Sequence, residues 1–478
     1  MTTPQTTLKK DAVGVVGILF FVLSAQAPLT SVVGVAAIAI TLGNGAAFPS
    51  AYLIIGIVML VFSVGFTTMT RYVTSHGGFS SLIHEGIGFR AGSSAAWLAL
   101  LTYSSVQAAL YGLISGTASG LLHTYLGIDV PWWVIFLVVI SGILVLGTNN
   151  VEVGARVLAV LVTGEFLILF VFGLLVYFGG NTAEGIDVAA TFGPQAIMTG
   201  APGIGLLFAI ASMFGFESTT IYSSEAKDPQ RTVPRATYLA VIVIAAFLAF
   251  ALWSLVLYYG PSNVQGAAAA TLEGDPAAFV TEPLDAVLGP WAGPTAATLL
   301  VTSLVAALLS FHNIINRYLH SMAGRGFLPA ALHRTNRHHA PANAAFVQTA
   351  TALLVVVPFA LLDMNPIVTL FGWLSGLGVV ALVLLYLVAS IAVIAYFRRT
   401  RADTRVWNTL LAPILATVMM GGLLVIMVSN FSVLTAADPV TGAVLLCVIP
   451  VVLIVGWALA SVSKDRSPVE PEEAELAP

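Results

Sequence analysis

The sequence predicts an all-α membrane protein with twelve transmembrane helices. Of its 478 residues, 58% are hydrophobic and only 8% are charged, whereas roughly a quarter are charged in ordinary soluble domains. Apolar runs of about 20 residues, the length that crosses a bilayer as a helix, recur along the chain. The uneven distribution of Lys and Arg between alternate loops supports the same count. Most of the chain therefore belongs in a membrane.

Polar or Gly/Pro-containing turns separate the apolar runs into twelve candidate spans. In chain order they are 13–42, 48–70, 91–121, 131–149, 152–178, 200–223, 235–259, 292–321, 343–362, 366–397, 406–429 and 440–462. Residues 1–12 form a short N-terminal segment before them. The tail 463–478 is acidic and rich in proline, so we expect it to be disordered.

The basic residues indicate how the chain is oriented. If the N-terminus is cytoplasmic, all 18 Lys and Arg residues fall in cytoplasmic segments or at the cytoplasmic ends of spans. The predicted outer loops 179–199 and 260–291 contain acidic residues but no Lys or Arg. This asymmetry is the positive-inside pattern. It predicts a multi-pass protein of the cell membrane with both termini in the cytoplasm.

Two spans are interrupted near their middle. The first is about 30 residues long and contains Pro28, which removes a backbone donor and should break or kink the helix. The sixth is interrupted by Phe214-Gly215-Phe216. Broken spans five apart predict two inverted five-span repeats, 13–178 and 200–397, with a binding site at their midplane crossing. Two peripheral helices, within 406–462, would follow the repeats.

Several function classes find no support in the sequence. The single cysteine, Cys447, excludes an internal disulfide. We see no cluster of metal ligands, so we expect no metal site and no cofactor. The net charge of −4, with dispersed basic residues, does not indicate nucleic-acid binding. The glycines of 200–205 lack the strand and acidic residue of a dinucleotide loop. Without a nucleotide-binding loop, an ion gradient is the expected energy source, and an enzymatic activity is not expected.

Ionisable residues are rare in the apolar layer. Only Glu165, in the fifth span, and Glu217, in the sixth, lie well inside it among the 22 acidic residues. Acids at that depth are costly and usually face a cavity or a partner. These two are therefore the first candidates for ion chemistry.

Motifs after the sixth and eighth spans indicate a family. GFE at 215–217 is followed by EAKDPQRTVPR at 225–235, NIINRY stands at 313–318, GRGFLP at 324–329, and Gly-Gly at 77–78. In these motifs the chain resembles the amino acid-polyamine-organocation (APC) family of transporters over nearly its whole length. The resemblance implies the LeuT-type fold, a 5+5 inverted repeat with discontinuous helices 1 and 6 plus two peripheral helices, and secondary transport. At the first break, Ala25-Gln26-Ala27-Pro28 replaces the family's usual Gly-Ser-Gly-like stretch, which leaves the substrate open.

Unwound helix ends predict the substrate site. Free N–H groups and the helix dipole near Ala25, Gln26, Ala27, Pro28 and Leu29 would attract a carboxylate. Carbonyl groups around Ser212, Met213, Phe214 and Gly215 would accept an α-ammonium, as the family resemblance also implies. The alternative is that both interruptions are kinks with packing roles only.

Further site residues come from the third, eighth and tenth spans. Tyr103, Gln107 and Tyr111 recur at helical spacing on the third span, where they would line the site or join helices. Ser310 stands where sodium-coupled relatives of the fold place hydroxyl ligands, although small residues also serve helix packing. Trp373 could gate the pathway or only pack.

Coupling is assigned to the two buried acids. By resemblance, Glu165 takes the place of a lysine that stands in for sodium in some relatives. As a carboxyl removed from water it could carry a proton through the cycle, help to hold a cation, or form a fixed hydrogen bond. Glu217 could hold the unwound segment, or take part in substrate binding and proton coupling.

The sequence thus predicts a permease that imports an amino acid or related amine by proton symport and alternating access. Exchange of amino acids or polyamines and sodium symport are the alternatives within transport, and a channel or signalling membrane protein is the alternative from another class. The expected partners are a small-molecule substrate and the lipid bilayer, with a homodimer possible and no nucleic acid.

Overall fold

The computed structural model describes residues 14–73, 78–149, 153–213, 215–216, 219, 226–272, 276–336 and 340–462. Within these ranges the regular elements are all helical. In the described part of the chain, eight helices are long and apolar enough to cross a membrane, and four shorter apolar helical segments accompany them. The predicted tail and the N-terminal segment 1–12 lie outside the described residues, as does Gly77.

The first predicted span is divided into three helices. These are α1 (Val15–Gln26), α2 (Pro28–Val33) and α3 (Ala36–Leu42). A 3₁₀ turn, Gly45–Ala47, leads into α4 (Phe48–Met69). The short α5 (Phe79–Ile87) then precedes the long α6 (Phe89–Leu121).

The chain continues through a π-helical turn, Leu122–Leu126, to α7 (Trp132–Thr148) and α8 (Val153–Phe178). Two single-turn helices, α9 (Ala189–Phe192) and α10 (Pro194–Ile197), occupy the following loop. Next come α11 (Pro202–Ala211) and α12 (Pro229–Tyr259). Only ten residues of the predicted sixth span are therefore described as helix.

The remaining helices follow in the predicted order. They are α13 (Val264–Leu272), α14 (Ala278–Leu288), α15 (Ala292–Gly324), the 3₁₀ turn Ala330–His333, α16 (Ala342–Leu361), the π-helical turn Pro366–Phe371, α17 (Gly372–Thr400), the π-helical turn Trp407–Leu411, α18 (Ala412–Ser429), α19 (Phe431–Thr435) and α20 (Pro439–Val462).

Most helix ends lie within a few residues of the predicted spans. The exceptions are α11, which ends at Ala211 where the predicted span continues to 223, and α12, which begins at Pro229 instead of 235. Proline suits the first turn of a helix because its missing N–H would have no partner there. No elements were predicted within the loops between the spans. Six helices nevertheless form there: α5, α9, α10, α13, α14 and α19.

Helix α1 packs against α8, α12 and α15. Helix α6 contacts α5, α15, α17 and α20. In the most apolar stretch of α6, 83% of the residues are buried inside the protein, against 17% for α20. Two hydroxyls of α6, those of Ser93 and Ser94, donate to the carbonyls of Gly456 and Leu453 on α20, at 2.8 and 2.9 Å. The last helix thus lies at the periphery and is joined to the centre.

Candidate functional site

The first span is broken at Ala27. This residue adopts the left-handed conformation, with φ of 50°, which costs a residue with a Cβ roughly 1 kcal/mol. Pro28 then starts α2, where its fixed φ suits the first turn. Non-glycine residues in such conformations concentrate at functional sites. The interruption predicted from Pro28 is therefore present, one residue before it.

The N–H groups at this break have partners within the protein. That of Ala27 donates to the carbonyl of Leu23 at 3.1 Å, and that of Leu29 donates to Oε2 of Glu165 at 3.2 Å. Pro28 has no N–H. At the start of α2, the N–H of Leu29 is therefore already bound to Glu165 and is not free to bind a substrate carboxylate. Ala25 lies in α1, but its side chain is outside the described residues.

The second interruption follows α11. The N–H of Ser212 is shared between the carbonyls of Phe208 and Ala209, and the N–H of Met213 donates to Ile210 at 3.1 Å. Gly215 then takes a φ of 105°, a region that is open essentially only to glycine. The chain thus leaves the helical path where the sequence predicted it. Phe214 and Glu217 lie outside the described residues, so their predicted roles stay predictions.

Gln26 joins the two interruptions. Its Nε2 donates to the carbonyl oxygen of Ser212 at 3.0 Å and to Oγ of Ser31 at 2.8 Å. All three residues are buried. The hydroxyl of Tyr52, on α4, donates to Oγ of Ser212 at 3.2 Å. Two segments 186 residues apart in sequence are thereby held side by side.

Glu165 lies directly behind the first break. The side chain is fully buried on α8, and among the described residues its Oε1 has no hydrogen-bond partner. The hydroxyl of Ser303, on α15, faces the same carboxyl group but does not reach hydrogen-bond geometry with it. A buried carboxyl with one oxygen on a helix N–H and the other unpartnered can exchange a proton or face a cation.

A cavity of about 230 Å³ extends from the two interruptions. It is lined by Gln26, Ala27, Thr30, Ser31, Gly34, Val35, Ile38, Val106, Leu110, Phe208, Ala211, Ser212, Ile367, Val368, Phe371, Gly372, Ser375, Gly376, Val379, Val433, Leu434, Thr435 and Ala436. None of these lining residues is charged. Near the break, the hydroxyl of Thr30 is buried and has no partner in the described structure.

Other predicted site residues lie away from this cavity lining. Tyr103 packs beside Phe311 and Tyr318, with ring centroids 6.4 and 6.1 Å apart. Gln107 accepts a hydrogen bond from Gln348 on α16. On α6 the cavity is instead lined by Val106 and Leu110. The roles of Tyr103 and Gln107 in substrate binding stay predictions.

For two further predicted residues, Ser310 and Trp373, another residue of the same part of the chain lies closer to the site. Ser310 is buried, but it is Ser303, two turns earlier on α15, that faces Glu165. Trp373 packs against Phe359 with ring centroids 6.0 Å apart, whereas its neighbour Phe371 lines the cavity. Coupling through Ser310 and gating by Trp373 remain untested predictions.

Sequence reasoning missed Tyr52, Ser303 and the whole contribution of α19. A hydroxyl in an apolar span was the available signal for Tyr52 and Ser303. For α19 we find no such signal, because its residues lie in a loop between two peripheral spans. It contributes Val433, Leu434 and Thr435 to the cavity wall.

Comparison with known proteins gives one family. A family model described as amino acid permease matches residues 17–470. The aromatic amino acid transport protein AroP of Escherichia coli strain CFT073 is 25% identical over 370 residues, which cover 73% of this chain and 75% of that protein. The gamma-aminobutyric acid permease of Escherichia coli strain K12 is 24% identical over 357 residues, or 70% of this chain and 72% of that protein.

A third relative matches over a shorter region. The L-asparagine permease of Salmonella typhimurium strain LT2 is 27% identical over 315 residues, which cover 62% of this chain. The match spans 59% of that permease. The names of these three relatives refer to different amino acids, so the comparisons do not select one substrate.

Proposed function

Because the chain belongs to the amino acid permease family, we propose that it imports an amino acid by proton symport, with alternating access around the two helix interruptions. A permease is a transporter and not an enzyme. The observation that carries the proposal is the hydrogen bond from Gln26 to the carbonyl of Ser212, because it places the two interruptions together beside a cavity. Unwound backbone in a membrane is tolerated where it is buried or lines such a cavity.

The architecture that we propose has twelve spans, with α1–α3 as the first span of one inverted repeat and α11 at the start of the first span of the other. Both termini are cytoplasmic, and the protein lies in the cell membrane. The absence of Lys and Arg from the loops 179–199 and 260–291 supports this orientation. Assembly as a homodimer stays a prediction from the sequence.

Substrate binding is proposed at the polar end of the cavity. The carbonyl of Ser212 has a second lone pair beside the one that Gln26 occupies, so it can accept from an α-ammonium group. The unpartnered hydroxyl of Thr30 is a donor available to the carboxylate, whereas Nε2 of Gln26 already donates to Ser31 and Ser212. The ammonium end of an amino acid would then contact the second interruption, and its carboxylate end the first.

We assign proton coupling to Glu165. When ionised, its carboxylate accepts from the N–H of Leu29 at the start of α2, where a negative charge is favoured. Protonation removes that charge and supplies a donor that can turn toward Ser303. The protonation state is thus linked to the half-helix that forms one wall of the substrate site. Sodium coupling and amino acid exchange are the alternatives within transport.

The test is uptake by the purified protein in proteoliposomes. We expect saturable uptake of labelled amino acids, driven by an inward proton gradient and stimulated by unlabelled substrate on the opposite side. Glu165→Gln should flatten the pH dependence while substrate binding remains measurable. Unchanged pH dependence in that variant would remove Glu165 from coupling. Dependence on a sodium gradient would favour sodium symport, and flux that never saturates would favour a channel.

Asp403→Asn is the matched control. The hydrogen bond from Arg405, at 2.6 Å, lowers the pKa of Asp403 to about 2. A lowered folded-state pKa contributes stability that is complete above the ordinary value of about 4 and is lost as the pH falls through about 2. Asp403 is therefore ionised throughout an assay between about pH 5 and pH 8. Its replacement should leave the pH profile of uptake unchanged.

A further inference from the structure

Building on the transport function proposed above, we propose that the cavity beside the two interruptions is a side-chain compartment for uncharged, bulky apolar amino acids. Helix α19 forms its outer wall and helps to select the side chain. The substrate class is therefore that of leucine and phenylalanine, and lysine, glutamate and polyamines are excluded.

The cavity is divided into a polar end and an apolar body. Gln26, Ser31 and Ser212 are joined by hydrogen bonds at the interruption. Most of the remaining lining is apolar: α6 contributes Val106 and Leu110, and the π-helical turn before α17 contributes Phe371. An α-amino acid has the same division, with two charged groups at one end and a variable side chain at the other.

A charged side chain finds no counter-charge among the described lining residues. Burial of an unpaired charge costs several kcal/mol even after the protein relaxes, so a cationic or anionic substrate would bind weakly. An apolar side chain instead gains free energy in proportion to the area that it buries. The composition of the wall therefore favours uncharged substrates.

The volume of the cavity favours large side chains. An apolar cavity of about 150 Å³ is sufficient to bind benzene, and this cavity measures about 230 Å³. It can accept a branched aliphatic or aromatic side chain. Glycine or alanine would leave most of the apolar wall without contacts and would gain little from it.

The part of the cavity wall formed by α19 packs against two glycines of α17. A Cβ at Gly376 would lie 2.3 Å from Cγ2 of Thr435, and one at Gly372 would lie 2.9 Å from the carbonyl oxygen of Thr435. The absence of side chains there lets Thr435 become fully buried. Leu434, the preceding residue, then lines the cavity. The connection between α18 and α20 is thereby part of the substrate site.

The first experiment is a competition panel in proteoliposomes. Uptake of a labelled amino acid mixture is measured with unlabelled leucine, phenylalanine, alanine, lysine, glutamate or putrescine in excess. We expect leucine and phenylalanine to compete at concentrations at least tenfold lower than alanine, and lysine, glutamate and putrescine not to compete. Stronger competition by a charged compound overturns the proposed substrate class.

The second experiment changes the wall. Leu434→Trp should raise the KM for phenylalanine at least tenfold and change that for alanine less than twofold, because only the larger side chain needs the filled space. Leu434→Ala, which enlarges the cavity, covers the case in which the tryptophan variant does not fold. It should weaken leucine uptake several-fold. Equal changes for all substrates would overturn the assignment.

Ser432→Asp is the matched control, since Ser432 is an exposed residue of the same short helix. It should leave the KM values for phenylalanine and alanine unchanged.

The competition panel also separates two kinds of failure. Saturable amino acid uptake with the wrong preference contradicts only the side-chain compartment. If no amino acid is taken up, the transport function proposed for the chain fails with it.

Discussion

The amide of Gln26 contacts both interruptions. Gln26→Leu keeps a similar volume but leaves the carbonyl of Ser212 and the hydroxyl of Ser31 without this donor. We expect the protein to lose about 1 kcal/mol of stability, as for other hydrogen bonds between membrane helices. We also expect a KM several-fold higher for every amino acid, because the polar end of the site loosens.

The measurements are the melting temperature in detergent and uptake kinetics. Gln265→Leu is the control, because Gln265 also donates to a carbonyl, that of Thr41 at 3.0 Å, but does so at an exposed position. It should leave the KM unchanged. If the two variants raise the KM equally, Gln26 has no special relation to the substrate site.

Individual residues of the site could be predicted from the sequence where they interrupt the apolar helical pattern of a span. Pro28 and Gly215 stood out because neither suits an uninterrupted helix, and an acid such as Glu165 stood out against an apolar background. Ser303 did not stand out, since hydroxyls are common in these spans. Most donate to the carbonyl four residues earlier, as that of Thr102 does to Leu98 at 2.9 Å. Only the packing reveals which hydroxyl faces a carboxyl group.

At the scale of elements, α6 approaches the π-helical turn Pro366–Phe371 closely beside the cavity. A Cβ at Gly112 would lie 2.5 Å from the carbonyl oxygen of Pro366 and 2.8 Å from Cδ2 of Leu370. Gly112→Ala should therefore destabilise the protein by about 1–3 kcal/mol through overpacking. It should also raise the KM for leucine, because displacement of this turn changes the cavity wall.

Gly120→Ala is the matched control on the same helix. A Cβ at Gly120 meets nothing within 4 Å, and alanine is favoured over glycine in helices by roughly 0.5–1 kcal/mol. Its melting temperature should be equal to or slightly above that of the parent. Equal destabilisation of both variants would show that the crossing does not depend on close approach.

Elements were predictable to the extent that length and hydropathy define them. The ends of α4 and α6 lie within two residues of the predicted spans. Helix α19 was not predictable, because five residues in a loop carry no periodic signal, and their position depends on Gly372 and Gly376 of another helix. The part of the cavity wall that α19 contributes therefore depends on tertiary packing.

At the scale of the whole molecule, sequence patterns indicate which segments are apolar but not which helices touch. Leucine suits both lipid and protein surroundings in a membrane, so the hydrophobic effect does not sort the two. Leu308 is fully buried, whereas Leu354 is 76% exposed, although both lie in apolar helices. The charged residues of the loops carry more information than the apolar residues of the spans, because their distribution predicts the orientation of the whole chain in the membrane.

The orientation can be tested with single cysteines in a Cys447→Ser background. Ile186, which is 54% exposed, lies in the loop 179–199, which contains no Lys or Arg. Ala402 is an exposed residue within the basic segment 398–405. If positive charge holds that segment in the cytoplasm, a membrane-impermeant maleimide added to intact cells should label Ile186→Cys and not Ala402→Cys. Both should react after permeabilisation, and the background protein should react in neither case. Labelling of Ala402→Cys in intact cells would invert the proposed topology.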